Sequence, residues 1–381
     1  MSARRRILVT LALALGACHN PTLWIGELPT DAGKSAEPPS MPVEEKDASE
    51  VAPVAHDASV PTPPDKPEKP PEKPPETVPP MDGPTSAPMM RDASVTQPVD
   101  DNDAGSGFPW ETDQPKPTRL PAVRGRCPEL SKSGTYTFGD PRSRTLSVDI
   151  YILPDAKTRG GPGGPIILYF HAIGSNSKEV VTGFGQTYID AATMLGGVVA
   201  SFSAKLCATC GLSEDVQWYP QDDAVSDQVV ACAIEQAHID TRRIHAMGFS
   251  AGAMHSLHLA LARSDYIASV VSYSGGRLNE PEPSQDPSNH VPVLLSYGRS
   301  GLDFAGVDFS MLSLQWYEEF KAKGWYTMLC DHQGGHVIPP DLAEKAVFFL
   351  ADHSYKFTPE PYEGGVPSYF PDYCSNTPRM R

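Results

Sequence analysis

The sequence of 381 residues has no excess of basic charge: 31 lysines and arginines stand against 47 aspartates and glutamates, so the net charge is −16. A nucleic-acid-binding protein would show a basic stripe, so this balance argues against that class. The sequence also has no apolar run that reaches the roughly 18 residues of a membrane-spanning helix. Apolar residues are not scarce in general, because 40% of the chain is hydrophobic, which excludes a fully disordered protein.

The first 18 residues have the pattern of an export signal. Three arginines at 4–6 precede a short apolar segment, Ile7–Leu15, which is typical of a secretory signal. The residues Leu15-Gly16-Ala17-Cys18 resemble the lipobox of bacterial lipoproteins, which implies that residues 1–17 are a lipoprotein signal peptide and that Cys18 is lipidated. We therefore expect a protein anchored to a membrane of the cell envelope through Cys18, with the outer membrane favoured by His19, or an extracellular protein. An ordinary signal peptide with a chance cysteine is the alternative.

A long segment after Cys18 is rich in proline and acid. Residues 19–122 hold 23 of the 40 prolines and carry 8 basic against 19 acidic residues, a net charge of −11. Proline fixes φ and removes a hydrogen-bond donor, and excess acid repels itself. We predict that residues 18–122 are a disordered, extended linker between the lipid anchor and a folded domain. A proline-rich ligand for a partner protein is the alternative.

Six cysteines remain after Cys18, an even number that suggests up to three disulfides in an exported protein. They allow 15 pairings, among which the sequence does not choose. Cys207 and Cys210 have the spacing of a redox or zinc motif, but no second such pair and no paired histidines accompany them, so a structural role is favoured. The six are Cys127, Cys207, Cys210, Cys232, Cys330 and Cys374.

Residues 123–381 have the pattern of one folded domain. Apolar segments rich in β-branched residues alternate with segments of helical spacing such as Ala224–Ala237 and Ala251–Ala262. Such alternation is typical of a mostly parallel sheet flanked by helices, so the predicted fold class is α/β. The predicted strands are Thr145–Leu153, Ile166–Phe170, Val198–Phe202, Arg243–Met247, Ile267–Ser272, Val291–Tyr297 and Trp325–Leu329, and Pro340–Phe349 is the predicted closing helix.

The motif Gly248-Phe-Ser250-Ala-Gly252 lies between a predicted strand and a predicted helix. A sharp strand-to-helix turn of this kind strains the serine, and the flanking glycines leave room for neighbouring backbone. The turn also places the serine near a helix N-terminus, where unpaired N–H groups favour a developing oxyanion. Ser250 is therefore the predicted nucleophile, and the Ala251 N–H is one predicted oxyanion donor.

A nucleophilic serine needs a base and an orienting carboxylate. Only His332 and His336 lie on the loop between the last predicted strand and the closing helix, and His336 is the preferred base. Asp303 and Asp308 both follow the strand Val291–Tyr297, and Asp303 is preferred because it is nearer the strand end. The resulting order of serine, aspartate and histidine is that of α/β-hydrolases.

The second oxyanion donor is expected on the loop after the strand Ile166–Phe170. That loop reads His171-Ala172-Ile173-Gly174, and the Ile173 N–H is the predicted donor. For His171 a role in loop structure is favoured over a role in catalysis.

Residues from about 127 to 374 resemble the polyhydroxybutyrate depolymerase and feruloyl esterase group of α/β-hydrolases. The resemblance implies an α/β-hydrolase fold and a secreted serine hydrolase that acts on esters of hydroxy acids, phenolic acids or acetylated sugars. It is carried by Phe170-His171-Ala-Ile-Gly174, Gly248-Phe-Ser250-Ala-Gly252-Ala-Met254, the stretch from Gly298 to Asp303, and Gly334-Gly-His336-Val-Ile-Pro339.

The predicted function is therefore hydrolysis of a carboxylic ester by a serine hydrolase. The predicted reaction requires no metal and no organic cofactor, and the expected partners are the ester substrate and the anchoring membrane. We expect a monomer with no nucleic-acid partner. Two alternatives are a surface-anchored binding protein on a catalytically degenerate hydrolase scaffold and a serine peptidase.

Overall fold

In a computed structural model, the described residues are 114–139, 145–204, 218–276, 283–298, 304 and 306–378. They form nine strands and six α-helices in alternation. The strands are β1 (Gly134–Gly139), β2 (Thr145–Tyr151), β3 (Gly164–Phe170), β4 (Val198–Ser203), β5 (Ile239–Phe249), β6 (Ser269–Tyr273), β7 (Val293–Gly298), β8 (Thr327–His332) and β9 (Cys374–Ser375). The helices are α1 (Val180–Gly183), α2 (Gln186–Met194), α3 (Asp223–Gln236), α4 (Ala251–Ala262), α5 (Phe309–Ala322) and α6 (Pro340–Asp352).

All nine strands belong to one sheet with the order β1-β2-β4-β3-β5-β6-β7-β8-β9. Strand β2 is antiparallel to both of its neighbours, β3 through β8 are parallel, and β9 is antiparallel to β8. The chain leaves β3 towards β4 on one side and returns to β5 on the other, so a crevice opens at the carboxyl ends of β3 and β5. This is the α/β-hydrolase fold, and the predicted fold class is confirmed.

The sheet is buried on both faces, as its apolar strands predict. In β3 the side chains of Ile166, Leu168 and Phe170 contribute to one core cluster, and those of Ile167 and Tyr169 contribute to the other. This alternation follows from the two-residue period of a strand. Helices α3, α4 and α5 cover the first face, and α2 and α6 cover the second.

The predicted segments form the centre of this fold. All seven predicted strands are present with shifted ends, and helix α4 has the predicted bounds, Ala251–Ala262. The predicted closing helix also forms and continues to Asp352. The sequence patterns did not predict the edge strands β1 and β9 or the helices α1, α2 and α5.

The segment before β1 is already attached to the domain. Thr118 donates a hydrogen bond from its Oγ1 to Asp286 Oδ2 at 3.1 Å, and Leu120 packs against the core. A disulfide joins Cys127 to Cys232 of α3 over a sequence separation of 105 residues. A second disulfide joins Cys330 of β8 to Cys374 of β9 over 44 residues.

Several sequence predictions fall outside the described residues. These are the signal peptide, the lipidated Cys18, most of the linker, the pair Cys207 and Cys210, and the triad acid Asp303. Each stays a prediction.

In the part of the chain that the structure describes, no helix combines the length and the apolar character needed to cross a bilayer.

The disulfide between Cys127 and Cys232 closes the longer of the two described loops, so its removal should lower stability most. Closing a loop of about 100 residues restricts the unfolded chain, and such bonds typically contribute about 2–4 kcal/mol. We expect Cys127→Ser/Cys232→Ser to lower the free energy of unfolding by about that amount in chemical denaturation. The matched variant Cys330→Ser/Cys374→Ser should lose less. An equal or larger loss in the second variant would contradict this ranking.

Candidate active site

Ser250 sits in the turn between β5 and α4 with φ of 55° and ψ of −119°. A positive φ is uncommon for a residue with a side chain and is typical of a strained functional turn. The backbone N–H of Ser250 donates to the Tyr273 carbonyl of β6 at 2.9 Å, which holds the turn against the sheet. The serine is 4% exposed.

The two glycines of the motif are required by the close approach of β3. A Cβ at residue 252 would overlap the carbonyl of Phe170 and lie 2.7 Å from the carbonyl oxygen of His171. A Cβ at residue 248 would lie 2.5 Å from the same Phe170 oxygen. Because these neighbours are backbone atoms, they cannot rotate away as a flexible side chain could. The first turn of α4 therefore rests directly on the end of β3.

The loop that follows β3 lies beside this helix start. His171 is 1% exposed, and its carbonyl accepts a hydrogen bond from Trp218 Nε1 at 2.9 Å. Its Nδ1 lies 2.7 Å from the Ala172 carbonyl, to which it donates. These contacts agree with the structural role favoured for His171.

Among the described residues, the backbone N–H of Ala172 has a hydrogen-bond partner and that of Ile173 has none. The Ala172 N–H donates to the carboxylate of Glu179 at 3.1 and 3.3 Å. The N–H of Ser175 donates to the Ala172 carbonyl at 3.0 Å, and Gly174 has φ of 74°. These two features describe a β-turn over residues 172–175 with its positive φ at the third position. Ile173 occupies the exposed corner of this turn, and its N–H has no bond to another described residue.

His336 lies on the loop between β8 and α6, where its ring packs among three phenylalanines. The ring centroids of Phe249, Phe304 and Phe309 lie 4.8, 4.8 and 4.3 Å from it. Since Phe249 directly precedes Ser250, this packing places the predicted base against the residue next to the predicted nucleophile. Burial lowers the pKa of His336 to about 4.

The phenylalanines around His336 were not singled out from the sequence. A usable signal was present, because Phe249 adjoins Ser250, and Phe304 and Phe309 directly follow the two candidate acids. Aromatic residues next to candidate catalytic residues in the sequence can thus indicate what surrounds the site.

The loop that carries His336 is fixed at both ends of its glycine turn. A Cβ at residue 298 would overlap the backbone of Gly335, so the end of β7 touches this turn directly. The N–H of Gly334 donates to Nδ1 of His332 at 3.1 Å, and His332 is 4% exposed. His332 therefore holds the loop through this hydrogen bond. Such a structural role is consistent with the preference for His336 as the base.

The two candidate acids differ in what the structure describes. Asp308 is the N-cap of α5, and its Oδ1 accepts the Met311 N–H at 2.9 Å. Asp303 lies outside the described residues. Among the described residues, the buried Nδ1 of His336 has no hydrogen-bond partner. The order of preference between the two acids stays a prediction.

Metal-ligating groups do not converge anywhere in the described part of the chain. The described side chains include no group of three or more histidines, cysteines, aspartates or glutamates arranged to hold an ion.

Comparisons with known proteins show partial similarity to one family. The model of a family described as Phospholipase/Carboxylesterase (Abhydrolase_2) matches residues 211–354, which is 144 of the 381 residues. The matched range contains Ser250, Asp303 and His336. The candidate esterase NocK of Nocardia uniformis subsp. tsuyamanensis is 31% identical over 140 residues, 36% of this chain and 40% of that protein. The match thus spans well under half of this curated relative, and both findings support an esterase-like α/β-hydrolase.

Solved structures with a similar arrangement include further esterases. A thermostable esterase is 13% identical, with 59% of this chain and 64% of that chain covered and a TM-score of 0.41. S-formylglutathione hydrolase (FrmB) from Staphylococcus aureus is 12% identical, with 57% and 98% covered and a TM-score of 0.41. The fold assignment depends on the strand order given above.

Gly252 should not accept even a methyl group. We expect Gly252→Ala to lower the free energy of unfolding by about 1–3 kcal/mol or more, because overpacking against fixed backbone forces α4 off the end of β3. Gly160→Ala is the matched control, since a Cβ there meets nothing within 4 Å. Chemical denaturation should show a change of less than about 1 kcal/mol for the control. Wild-type stability in Gly252→Ala would contradict the described contact.

Proposed function

We propose that the protein is a serine esterase that hydrolyses carboxylic esters through Ser250, His336 and Asp303. The observation that carries the proposal is the packing of the His336 ring against Phe249, the residue that leads into the strained turn of Ser250. Nucleophile and base thus come from two loops at the same edge of the sheet. The family match over residues 211–354 supports the same class of reaction.

The proposed reaction follows the chemistry of an acyl-enzyme. His336 accepts the Ser250 hydroxyl proton while the serine oxygen attacks the ester carbonyl. The tetrahedral oxyanion is held by the N–H groups of Ala251 and Ile173. His336 then protonates the departing alcohol, and water attacks the acyl-enzyme in a second round of the same steps.

A base that remains neutral suits this role. Burial among three aromatic rings disfavours the charged imidazolium, which lowers the pKa of His336 to about 4. His336 therefore remains unprotonated, and able to accept a proton, from neutral pH down to about pH 4. The proposed carboxylate orients the ring and stabilises the imidazolium that forms transiently during attack.

Asp303 is the proposed orienting carboxylate. The engagement of Asp308 supports this choice, because its Oδ1 already caps α5 at 2.9 Å from the Met311 nitrogen. An aspartate at an N-cap satisfies a helix donor and contributes about 1 kcal/mol to helix stability. Using Asp308 in the triad would compete with that bond.

The proposed location is a membrane of the cell envelope. The support is the N-terminal sequence pattern alone, in which a lipidated Cys18 is followed by a proline-rich and acidic linker. Such a linker would let the hydrolase domain reach esters at some distance from its anchor.

Exposed apolar side chains on the loops that carry the proposed site residues suggest the character of the ester. We call Ile173, Phe304 and Val337 the apolar rim; their exposed fractions are 43%, 49% and 40%. They lie on the loops after β3, β7 and β8, beside the proposed oxyanion donor and the proposed base. Exposed apolar side chains grouped around a polar reaction centre are typical of a binding surface for apolar groups. The proposed substrate is therefore an ester with an apolar acyl or alcohol group rather than an acetylated sugar.

The role of Ser250 can be tested directly. Ser250→Ala should lose covalent labelling by a fluorophosphonate and at least about a thousandfold of the hydrolysis of short acyl nitrophenyl esters. Its circular dichroism spectrum should match that of the wild type. Ser131→Ala, at an exposed serine before β1, is the matched control and should keep both activities.

Three other results would overturn this proposal. Equal hydrolysis by wild type and Ser250→Ala would exclude Ser250 as the nucleophile. A folded wild type that neither labels nor hydrolyses any member of an ester panel would favour a binding protein on a degenerate hydrolase scaffold. Cleavage of peptide nitroanilides without ester preference would favour a peptidase.

The apolar rim should determine the preference for acyl length. In Phe304→Ser/Val337→Ser, we expect the ratio of kcat/KM for an octanoyl ester to that for an acetyl ester to fall about tenfold, since contacts to methylene groups are lost. Met194 and Leu195 are the matched control, because they are 58% and 47% exposed and lie at the opposite edge of the sheet, before β4. Met194→Ser/Leu195→Ser should leave the ratio unchanged. An equal change in both variants would contradict the assignment.

A further inference from the structure

Glu179 is a partly buried carboxylate that reaches back to the loop after β3. Its Oε1 accepts the Tyr169 hydroxyl at 2.9 Å and the Ala172 N–H at 3.1 Å, and its Oε2 lies 3.3 Å from the same N–H. Burial raises the pKa of Glu179, and its hydrogen bonds oppose that shift. Two donors on one carboxylate, one a hydroxyl and one a backbone N–H, make a strong local anchor.

A second carboxylate fixes the same segment on its other side. Asp149 of β2 accepts the Ser177 hydroxyl at 2.7 Å, and the Lys178 ammonium lies 2.7 Å from the same oxygen. The Ser177 carbonyl in turn accepts the Ser201 hydroxyl of β4 at 2.6 Å. Residues 177 and 178 are thus bonded to strands β2 and β4, so the backbone that carries Glu179 is held in place.

The contact with Ala172 acts on a loop that we call the oxyanion loop, residues 171–175. The Ser175 N–H closes this loop on the Ala172 carbonyl, with Ile173 at the first corner of the turn. The N–H of a first-corner residue takes no part in the closing bond of a β-turn. Because Glu179 accepts the Ala172 N–H, the next backbone N–H along the chain that could bind an oxyanion is that of Ile173.

We infer that Glu179 is the positioning residue of the oxyanion loop: its carboxylate holds the Ala172 N–H away from the reaction centre, and this orients the Ile173 N–H towards the oxyanion formed at Ser250. This inference rests on the proposed function. Glu179 touches neither substrate nor nucleophile in this scheme and acts only through the loop. Its loss should therefore affect the stage at which negative charge develops, which is a loss in kcat with little change in KM.

Three variants separate the reach of the side chain from its charge. Glu179→Gln keeps the reach without the charge, because the amide oxygen can accept the Ala172 N–H while its NH₂ group donates to the Tyr169 hydroxyl. Glu179→Asp keeps the charge but is one methylene shorter, and Glu179→Leu keeps the volume but has no acceptor. The matched control is Asp240→Asn at the amino end of β5, a carboxylate that is 7% exposed and accepts a hydrogen bond from Arg242 Nε at 2.9 Å.

The test is steady-state kinetics on a soluble nitrophenyl ester with full-length protein, together with thermal unfolding. We expect kcat to fall about tenfold to a hundredfold in Glu179→Asp and Glu179→Leu, with KM within about threefold, since a misplacement of 1 Å can cost about a hundredfold. Glu179→Gln should keep kcat within about threefold of the wild type. Asp240→Asn should lower the unfolding midpoint without the selective loss of kcat.

The possible failures of the two proposals are distinguishable. Unchanged kcat in the folded Glu179→Asp variant, with a wild type that labels at Ser250 and turns over, overturns the role of Glu179 and leaves the esterase in place. An equal loss in Glu179→Gln and Glu179→Asp also overturns it, since a side chain that keeps the reach would then do no better than one that loses it. A wild type that neither labels at Ser250 nor hydrolyses esters removes the proposed function and this inference with it.

Discussion

The arrangement of the candidate site depends on one contact between backbone atoms. The first turn of α4 lies against the end of β3 so closely that residue 252 has no room for a Cβ beside the Phe170 carbonyl. This contact fixes the position of the start of the oxyanion loop relative to the N-terminus of α4. The strained Ser250 directly precedes that helix. Backbone atoms adjust less than side chains do, so the relation between the serine and its proposed oxyanion donors is set by the fold rather than by rotamers.

Much of this arrangement could be predicted from the sequence, because the patterns that indicate it lie within short segments of the chain. Strands β3 to β8 are apolar runs, and the alanine- and leucine-rich helix α4 starts at Ala251 within the glycine motif, so its bounds were predicted without error. The positive φ of Ser250 follows from the spacing of Gly248 and Gly252. The loop histidine was also predicted from position alone, as the residue between the last parallel strand and the closing helix.

The remaining features depend on contacts between distant parts of the chain. Strand β9 has two residues and pairs with β8 at the cysteine pair, so no periodicity could reveal it. Helix α2 begins after Gly185 without a side-chain cap. Asp308 was weighed only as a catalytic acid, although an aspartate before a helical segment is also the usual N-cap signal. The role proposed for Glu179 depends on its approach to Tyr169 and Ala172, which the sequence does not encode in any short motif.

The disulfide between Cys330 and Cys374 also protects the sheet at its end. Strand β8 is fully buried, and β9 covers its outer side with only two paired residues. Without the covalent link, this short strand could leave, and β8 would present unpaired N–H and carbonyl groups to other chains. Under reducing conditions β8 would therefore become an unpaired edge strand that can pair with other chains. This strand leads directly into the loop that carries His336. Self-association through that edge is the characteristic failure expected of this fold in a reducing cytosol.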